Sequence, residues 1–600
     1  MNERQLRDLI DEVKSGRVSR RQFTSRMIGL GLTGLMASEM LGWCGVAAAQ
    51  SAAQSVPPYK PTRRGGGGTL RLLWWQAPTL LNPHFGVGQK DLDASSLFYE
   101  PLAAWDPEAN LIPILAAEIP SVENGGVARD GRTVTWKLKR NVTWHDGKPF
   151  TADDVVFTWE YLNDAATAAV TSGVYKEVKR VEKVDSHTVR IVFNEPVPFW
   201  ARPFVARQGS ILPRHLFDAY RGAKSREAPW NLKPVGTGPY KFVDFKPGDS
   251  VRGEINRDYH EPKRPHFDAV EMKGGGDAVS AARAVLQTAE FDYAWNMLVE
   301  DEILKRFEEG GKGRVVFAPS GRVEFVLCNF SDPWTEVDGE RSSAKSKHPV
   351  LSDAAVREAL SLLVDRASIQ EHVYGRGGTA TRNFLNNPVR FRSPNSKWEF
   401  SVDRANQILD TAGWKRGSDG VRAKDGKKLK FLFQTTISSP RQKNQQIIKQ
   451  ACQKAGIDLE LKTVVASVFF SSDIANPDTN AKFHADLQMY NIGSAPDPWY
   501  FMNQFTTAEI ASKENKWQGR NLSRWRNEEF DRLYLAAKDE LDPVKRAALF
   551  VRMNDLVIEN NVVIPLVSTP ESGAVSSKLR MTLSGWESQL AFLKDWYREG

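Results

Sequence analysis

Residues 132–162 constrain the fold more than any other part of the chain. Val134, Trp136 and Leu138 alternate with Thr135, Lys137 and Lys139, the period of two that marks a half-buried strand. Val142-Thr143-Trp144 reads as a second strand, closed by the turn residues Asp146-Gly147. Thr151 then stands where a helix N-cap belongs, with Asp154 three residues on as the acidic member of a capping box. Val155, Val156, Trp159 and Leu162 form the apolar stripe of the helix that follows. Strand and helix patterns that alternate this quickly require a sheet with helices packed on it, an α/β fold.

The same alternation runs on along the chain. Strands are expected at 69–75, 188–193, 240–245, 323–329, 428–434, 459–465 and 485–490. Helices are expected at 95–105, 280–288, 354–364, 403–412, 440–455 and 528–560. With 600 residues the chain exceeds the roughly 250–300 that one core can serve, so two or three domains are required. The formal charge of +8 comes from 81 basic against 73 acidic residues. The basic residues form no long block, so the charge is a solvated surface and no nucleic-acid partner is expected. Eighteen tryptophans supply large flat faces that suit both cores and ligand-lined clefts. Cys328 lies in a strand-like run and Cys452 in a helix-like one. Both read as small buried apolar residues, and whether they are linked stays open.

Residues 1–49 read as an address. Arg20-Arg21 precede a weakly apolar stretch, residues 27–43, and Ala47-Ala48-Ala49 offer a small-residue cleavage site. Paired arginines, a short apolar region and this ending define a twin-arginine export signal, and hence a periplasmic protein. Trp43 before Cys44 is too bulky for a lipidated cysteine. Residues 50–68, with three prolines and four successive glycines, read as a flexible leader.

Six stretches, LFYEPLAAWDPE, LIPILAAEI, TVTWKLKRNVTWHDGKPFTADDVVFTW, VGTGPYKF, LSDAAVREALSLLVDR and APDPWYFMNQF, then carry a resemblance. The chain, over about residues 69–600, resembles the extracytoplasmic solute-binding proteins of peptide- and nickel-type ABC importers, the oligopeptide- and dipeptide-binding family. The resemblance implies a two-lobed periplasmic-binding-protein clamshell with an extra inserted subdomain. Lobe I would comprise 69–95, 206–318 and 562–600, the subdomain 96–205, and lobe II 319–561, with crossovers near 318 and 561. It implies a monomer without cofactor that captures a small solute, a peptide or peptide-like molecule, by lobe closure and delivers it to a membrane permease.

By position in the family's motifs, the ligand-facing residues would be Val87, Gly88 and Gln89, Trp295 and Asn296, Arg322 and Phe325, Arg441, and Asn491, Gly493 and Ser494, with Trp74 beside Trp75 near the same mouth. An aromatic at such a position can equally prop a wall, and Arg322 or Arg441 can equally pair with a carboxylate. Peptide binders of the family place an Asp three residues before an acidic-Pro pair, where it neutralises the peptide's amino terminus. Here Asp497-Pro498 supplies the pair, Ser494 stands at the anchor and Asn491 at the position of a Trp. Serine cannot neutralise an ammonium, so either another carboxylate does or the ligand lacks a free amino terminus. Opine-like, sugar-derived and other small organic solutes therefore stay open, as does a sensor built on the same clamshell. Nickel and other metals are not expected, because no cluster has ligand spacing. A hydrolase is disfavoured: the chain has no G-x-S-x-G elbow and no H-E-x-x-H, and Pro262 and Pro265 break the spacing of His260, Glu261 and His266.

Overall fold

The computed structural model describes residues 3–15, 17–18, 22–23, 26–27, 59–86, 88–470, 475–515, 517 and 519–599. Arg20, Arg21, the expected cleavage site and Val87 lie outside the described residues. The chain divides into two compact units: residues 50–319 with 571–600, and residues 1–49 with 320–570. The second division therefore falls within the strand Val563–Ser576.

In the unit formed by 50–319 and 571–600, the strand Thr69–Trp74 is central. Leu70, Leu72 and Trp74 are fully buried, and the strand runs parallel to Ala269–Gly274 on one side and Tyr293–Trp295 on the other. Ser250–Ile255 and Tyr240–Lys246 extend the sheet in antiparallel order. Residues 573–575 pair with Tyr293–Trp295. A smaller antiparallel sheet orders Thr133–Lys137, Thr188–Phe193 and Val178–Asp185, and the helix Ala152–Asn163 packs beside it behind the expected capping box of Thr151 and Asp154. Asp154 does more than cap: its second oxygen accepts the Arg214 N–H at 3.0 Å, so one carboxylate joins two segments. Residues 142–144 form a single bridge, Thr143 to Pro149, instead of a strand. The helix expected over 95–105 is Gln89–Ser95, and Ala103–Trp105 is a short strand. Pro101 separates them because its ring cannot continue a helix. The turn at 236–238 passes directly over Phe98. A Cβ on Gly236 would lie 1.8 Å from the Phe98 carbonyl oxygen, which accepts the Gly238 N–H at 2.8 Å.

In the unit formed by 1–49 and 320–570, the sheet runs Asp458–Val464, Lys430–Thr436, Leu487–Ser494 and then residues 321–328 of the strand Gly313–Cys328. Successive side chains of that last strand enter different cores. Val323, Phe325 and Leu327 join Phe384, Tyr490, Phe501 and Phe550, while Val326 and Cys328 join Phe433, Cys452 and Met489. A strand covered on both faces explains the unbroken apolar run Phe325 to Cys328. The helical tail expected over 528–560 is two helices, Glu528–Asp539 and Pro543–Glu559. Asp542 caps the second through the Val544 and Lys545 N–H groups, and Pro543 takes its first turn, where no N–H is needed. Cys328 and Cys452 are both free and buried. Among the described residues no helix is long and apolar enough to cross a membrane.

Candidate functional site

The expected ligand-facing residues fall in both units, and each set has its own support. In the unit centred on Thr69–Trp74, Trp295 stacks between Trp74, at 6.3 Å and 6°, and Trp75, at 5.0 Å and 29°. Trp74 is fully buried and Trp295 nearly so, while Trp75 is half-buried. Trp74 is therefore core, and Trp75 is the indole nearer the surface. Asn296 has a left-handed backbone, φ +52°, held on both sides: its N–H donates to the Ser572 carbonyl at 3.0 Å and its carbonyl accepts Trp75 Nε1 at 3.0 Å. Gly88 caps the helix Gln89–Ser95. The Gln89 amide is engaged at both ends, donating to Asp93 at 2.7 Å and accepting from Arg207 at 2.6 Å.

Asp93 is the hub of this half. It also accepts from Trp74 Nε1 at 3.1 Å, the Ser588 hydroxyl at 2.8 Å and the Gln589 N–H at 3.1 Å. Burial nonetheless pushes its carboxyl up to about 6. Glu587 accepts the Trp105 N–H at 2.7 Å and the Arg207 N–H at 3.2 Å, and burial pushes it to about 7. Sequence reasoning missed Asp93, Arg207 and Glu587. They are too far apart in the chain for any local pattern to join them.

In the other unit the antiparallel register sets Arg322 opposite Gly493, Glu324 opposite Asn491, and Gly321 opposite Ser494. Directly opposed residues share a face and neighbours do not. Arg322, Glu324, Asn491 and Gly493 therefore lie on one face, with Arg322 Cγ only 3.0 Å from where a Gly493 Cβ would stand. Asn491 Nδ2 donates to Thr569 Oγ1 at 2.9 Å. Phe325 belongs to the opposite face; it is fully buried, edge-on to Phe384 at 5.1 Å and Tyr490 at 4.8 Å, and so backs the strand as core. Ser494 lies at the strand end, its hydroxyl 3.4 Å from the Asn387 carbonyl. A Cβ on Gly321 would come within 2.2 Å of that hydroxyl, so glycine is required there.

Arg441 reaches this face from the helix Ser439–Lys454 and forms a two-pronged ion pair with Glu324, at 2.7 and 3.3 Å, while donating to Thr436 Oγ1 at 2.6 Å. Glu324 is buried and Arg441 largely so. Burial lowers the Arg441 pKa, Glu324 raises it, and the net shift is upward. Sequence reasoning passed over Glu324, although a carboxylate beside an apolar run needs a countercharge. Asp497 is likewise taken, by a two-pronged pair with buried Arg546. Glu324 and Asp497 are thus each matched by an arginine.

The family model for "Bacterial extracellular solute-binding proteins, family 5 Middle" matches residues 110–513, and the chain belongs to that family. It is 28% identical over 484 residues to the oligopeptide-binding protein AppA of Bacillus subtilis, spanning 79% of this chain and 81% of the relative. It is 26% identical over 482 residues to protein XP55 of Streptomyces lividans, spanning 79% and 78%. Among solved structures, AppA of B. subtilis in complex with a nonapeptide superposes with a TM-score of 0.69 at 24% identity, covering 90% of this chain and all of that one. NikZ of Campylobacter jejuni in complex with Ni(L-His) gives 0.71 at 22%, covering 88% and 99%. The fold is thus the α/β fold of two-domain solute-binding proteins.

Proposed function

We propose that this chain is the periplasmic receptor of an ATP-driven importer, capturing a peptide or peptide-like solute by lobe closure and delivering it to a membrane permease. Family membership carries the reading, since one relative matched over most of its length is named oligopeptide-binding and a likeness in fold extends to a peptide complex. Among peptide-like solutes, those without a free ammonium at the family's usual anchor fit best. Ser494 carries no charge, and Glu324 and Asp497 already face arginines. Burying an ammonium without a carboxylate costs several kcal/mol. Di- and tripeptides with free amino termini should therefore bind weakly, and Ser494→Asp should tighten them by about 1–3 kcal/mol, as for a charge-assisted hydrogen bond. A thermal-shift screen of free peptides, amino-blocked peptides, opines and oligosaccharides against both proteins reads this, because bound ligand raises the melting temperature. Tight wild-type binding of ordinary free peptides would restore a plain peptide receptor.

Export by the twin-arginine route rests on Arg20-Arg21 ahead of a weak apolar region. Replacing both with Lys should stop the mature chain reaching the periplasm, read by fractionation and immunoblot. Undiminished export of the double variant would point to the general secretion route instead.

A further inference from the structure

A cavity of about 330 Å³ lies within the 320–570 unit, lined among others by Arg366, Arg382, Arg404, Lys397 and Trp398. None of the residues discussed above for solute binding lines it. Its charge is arranged unevenly. The two lining carboxylates, Glu399 at 2.6 Å and Glu358 at 4.0 Å, both lie against Arg404. Among the described residues neither carboxylate forms an ion pair with Arg366 or Arg382, although the charge of Glu358 reaches Arg382.

Arg366 is fully buried and is held by carbonyls alone. Its Nε donates to Thr381 at 3.1 Å and Pro565 at 2.7 Å, and its Nη1 donates to Ser361 at 3.2 Å and Val364 at 3.4 Å. Its Nη2 is buried and meets no acceptor among the described residues. Arg382 repeats the pattern: one Nη1 bond to the Lys397 carbonyl at 2.7 Å, and a buried Nε without an acceptor among the described residues. Burial pulls the Arg366 guanidinium down to about 9, and Arg382 adds to the fall. A buried cation normally recovers its lost hydration from a carboxylate. Four carbonyl dipoles orient Arg366 but do not neutralise it. Trp398, 37% exposed, lies with its ring 5.9 Å from Arg366 Cζ and gives the cavity a flat apolar side.

We propose that this cavity binds a small oxyanion, a phosphate or a small organic carboxylate, through the unpartnered donors of Arg366 and Arg382 with Trp398 alongside. Guanidinium groups match such anions because their planar donors fit two oxygens at once. The test uses the full mature chain at low salt, titrated with inorganic phosphate and with succinate, with chloride at matched ionic strength as the control. Melting temperature and tryptophan fluorescence are read together. Phosphate, succinate or both should give a saturable rise that chloride does not, and the more effective one identifies the chemistry. Arg382→Gln, which gives up a single carbonyl contact and leaves the Arg366 cradle intact, should weaken binding about tenfold or more, the worth of one charged hydrogen bond. Trp398→Phe should abolish the fluorescence change while the thermal rise persists, separating this cavity from any other anion site even if Arg382→Gln folds poorly. No saturable response beyond chloride, or a fluorescence change that persists in Trp398→Phe, overturns the proposal.

Discussion

Arg441→Met should destabilise the chain by about 3–5 kcal/mol, because it leaves Glu324 as an unpaired carboxylate in the interior. Glu324 has 3% of its surface exposed and takes both prongs of the Arg441 guanidinium. Replacing both partners, as Glu324→Gln with Arg441→Met, should recover most of the loss, since the cost lies in the orphaned charge more than in the absent attraction. Urea unfolding of the wild type, the single variant and the double variant measures this. The comparison also decides the role of Arg441. A group that serves mainly to hold ligand would lose affinity on substitution with little change in stability. The geometry assigns the opposite order, with stability falling first and the strand face of Arg322 and Asn491 loosening as a result.

Acid should weaken the unit that contains His84, by about 3 kcal/mol from this residue alone between pH 6.5 and 4. His84 is fully buried, with Nδ1 2.8 Å from the Thr171 hydroxyl and Nε2 2.8 Å from the Ser210 carbonyl. The neutral ring satisfies both by accepting from the hydroxyl and donating to the carbonyl. A second ring proton would point at the hydroxyl in a dry site, and burial holds the pKa down to about 4. The unfolded chain binds a proton at about 6.5 that the folded chain refuses until about 4. Stability is therefore full above 6.5 and lost as pH falls through that window. His145, also held near 4 by burial, deepens the same loss. His84→Gln should be less stable than wild type at pH 7, and urea unfolding should show the gap closing as the pH approaches 4. A gap that stays constant across the range would remove His84 from the acid response.

Where sequence and structure agree, the reason is local. The strands at 133–137 and 188–193 announce themselves because one face is polar and wet, and the helix after Thr151 because its cap is written within four residues. The two helices within 528–560 were run together because apolar spacing continues across Asp542-Pro543, yet an N-cap followed by proline is a local signal that marks the break. Phe325 shows a different difficulty. Its strand is legible, but with apolar cores on both faces the alternation carries no word on which side meets solvent. Beyond that, legibility ends where partners are distant in sequence. Glu324 and Arg441 are 117 residues apart, and Asp93 and Ser588 are 495 apart. Each looks like an ordinary polar residue until the fold joins them. The same holds for Arg366, an enclosed cation whose carbonyl partners reach as far as Pro565.

The two free cysteines have a practical consequence. Both Cys328 and Cys452 lie in the 320–570 unit, and the sequence places none in 50–319 or 571–600. Burial pushes the Cys328 thiol up to about 12 and raises Cys452 as well. Only a thiolate attacks an alkylating reagent at a useful rate, so neither sulfur reacts while its core is closed. In a Cys44→Ser variant, alkylation becomes a clock for the opening of one unit and stays silent about the other. In a chain whose eighteen tryptophans make unfolding fluorescence a sum over many sites, mass added at two sulfurs dates events in one unit without any engineered label.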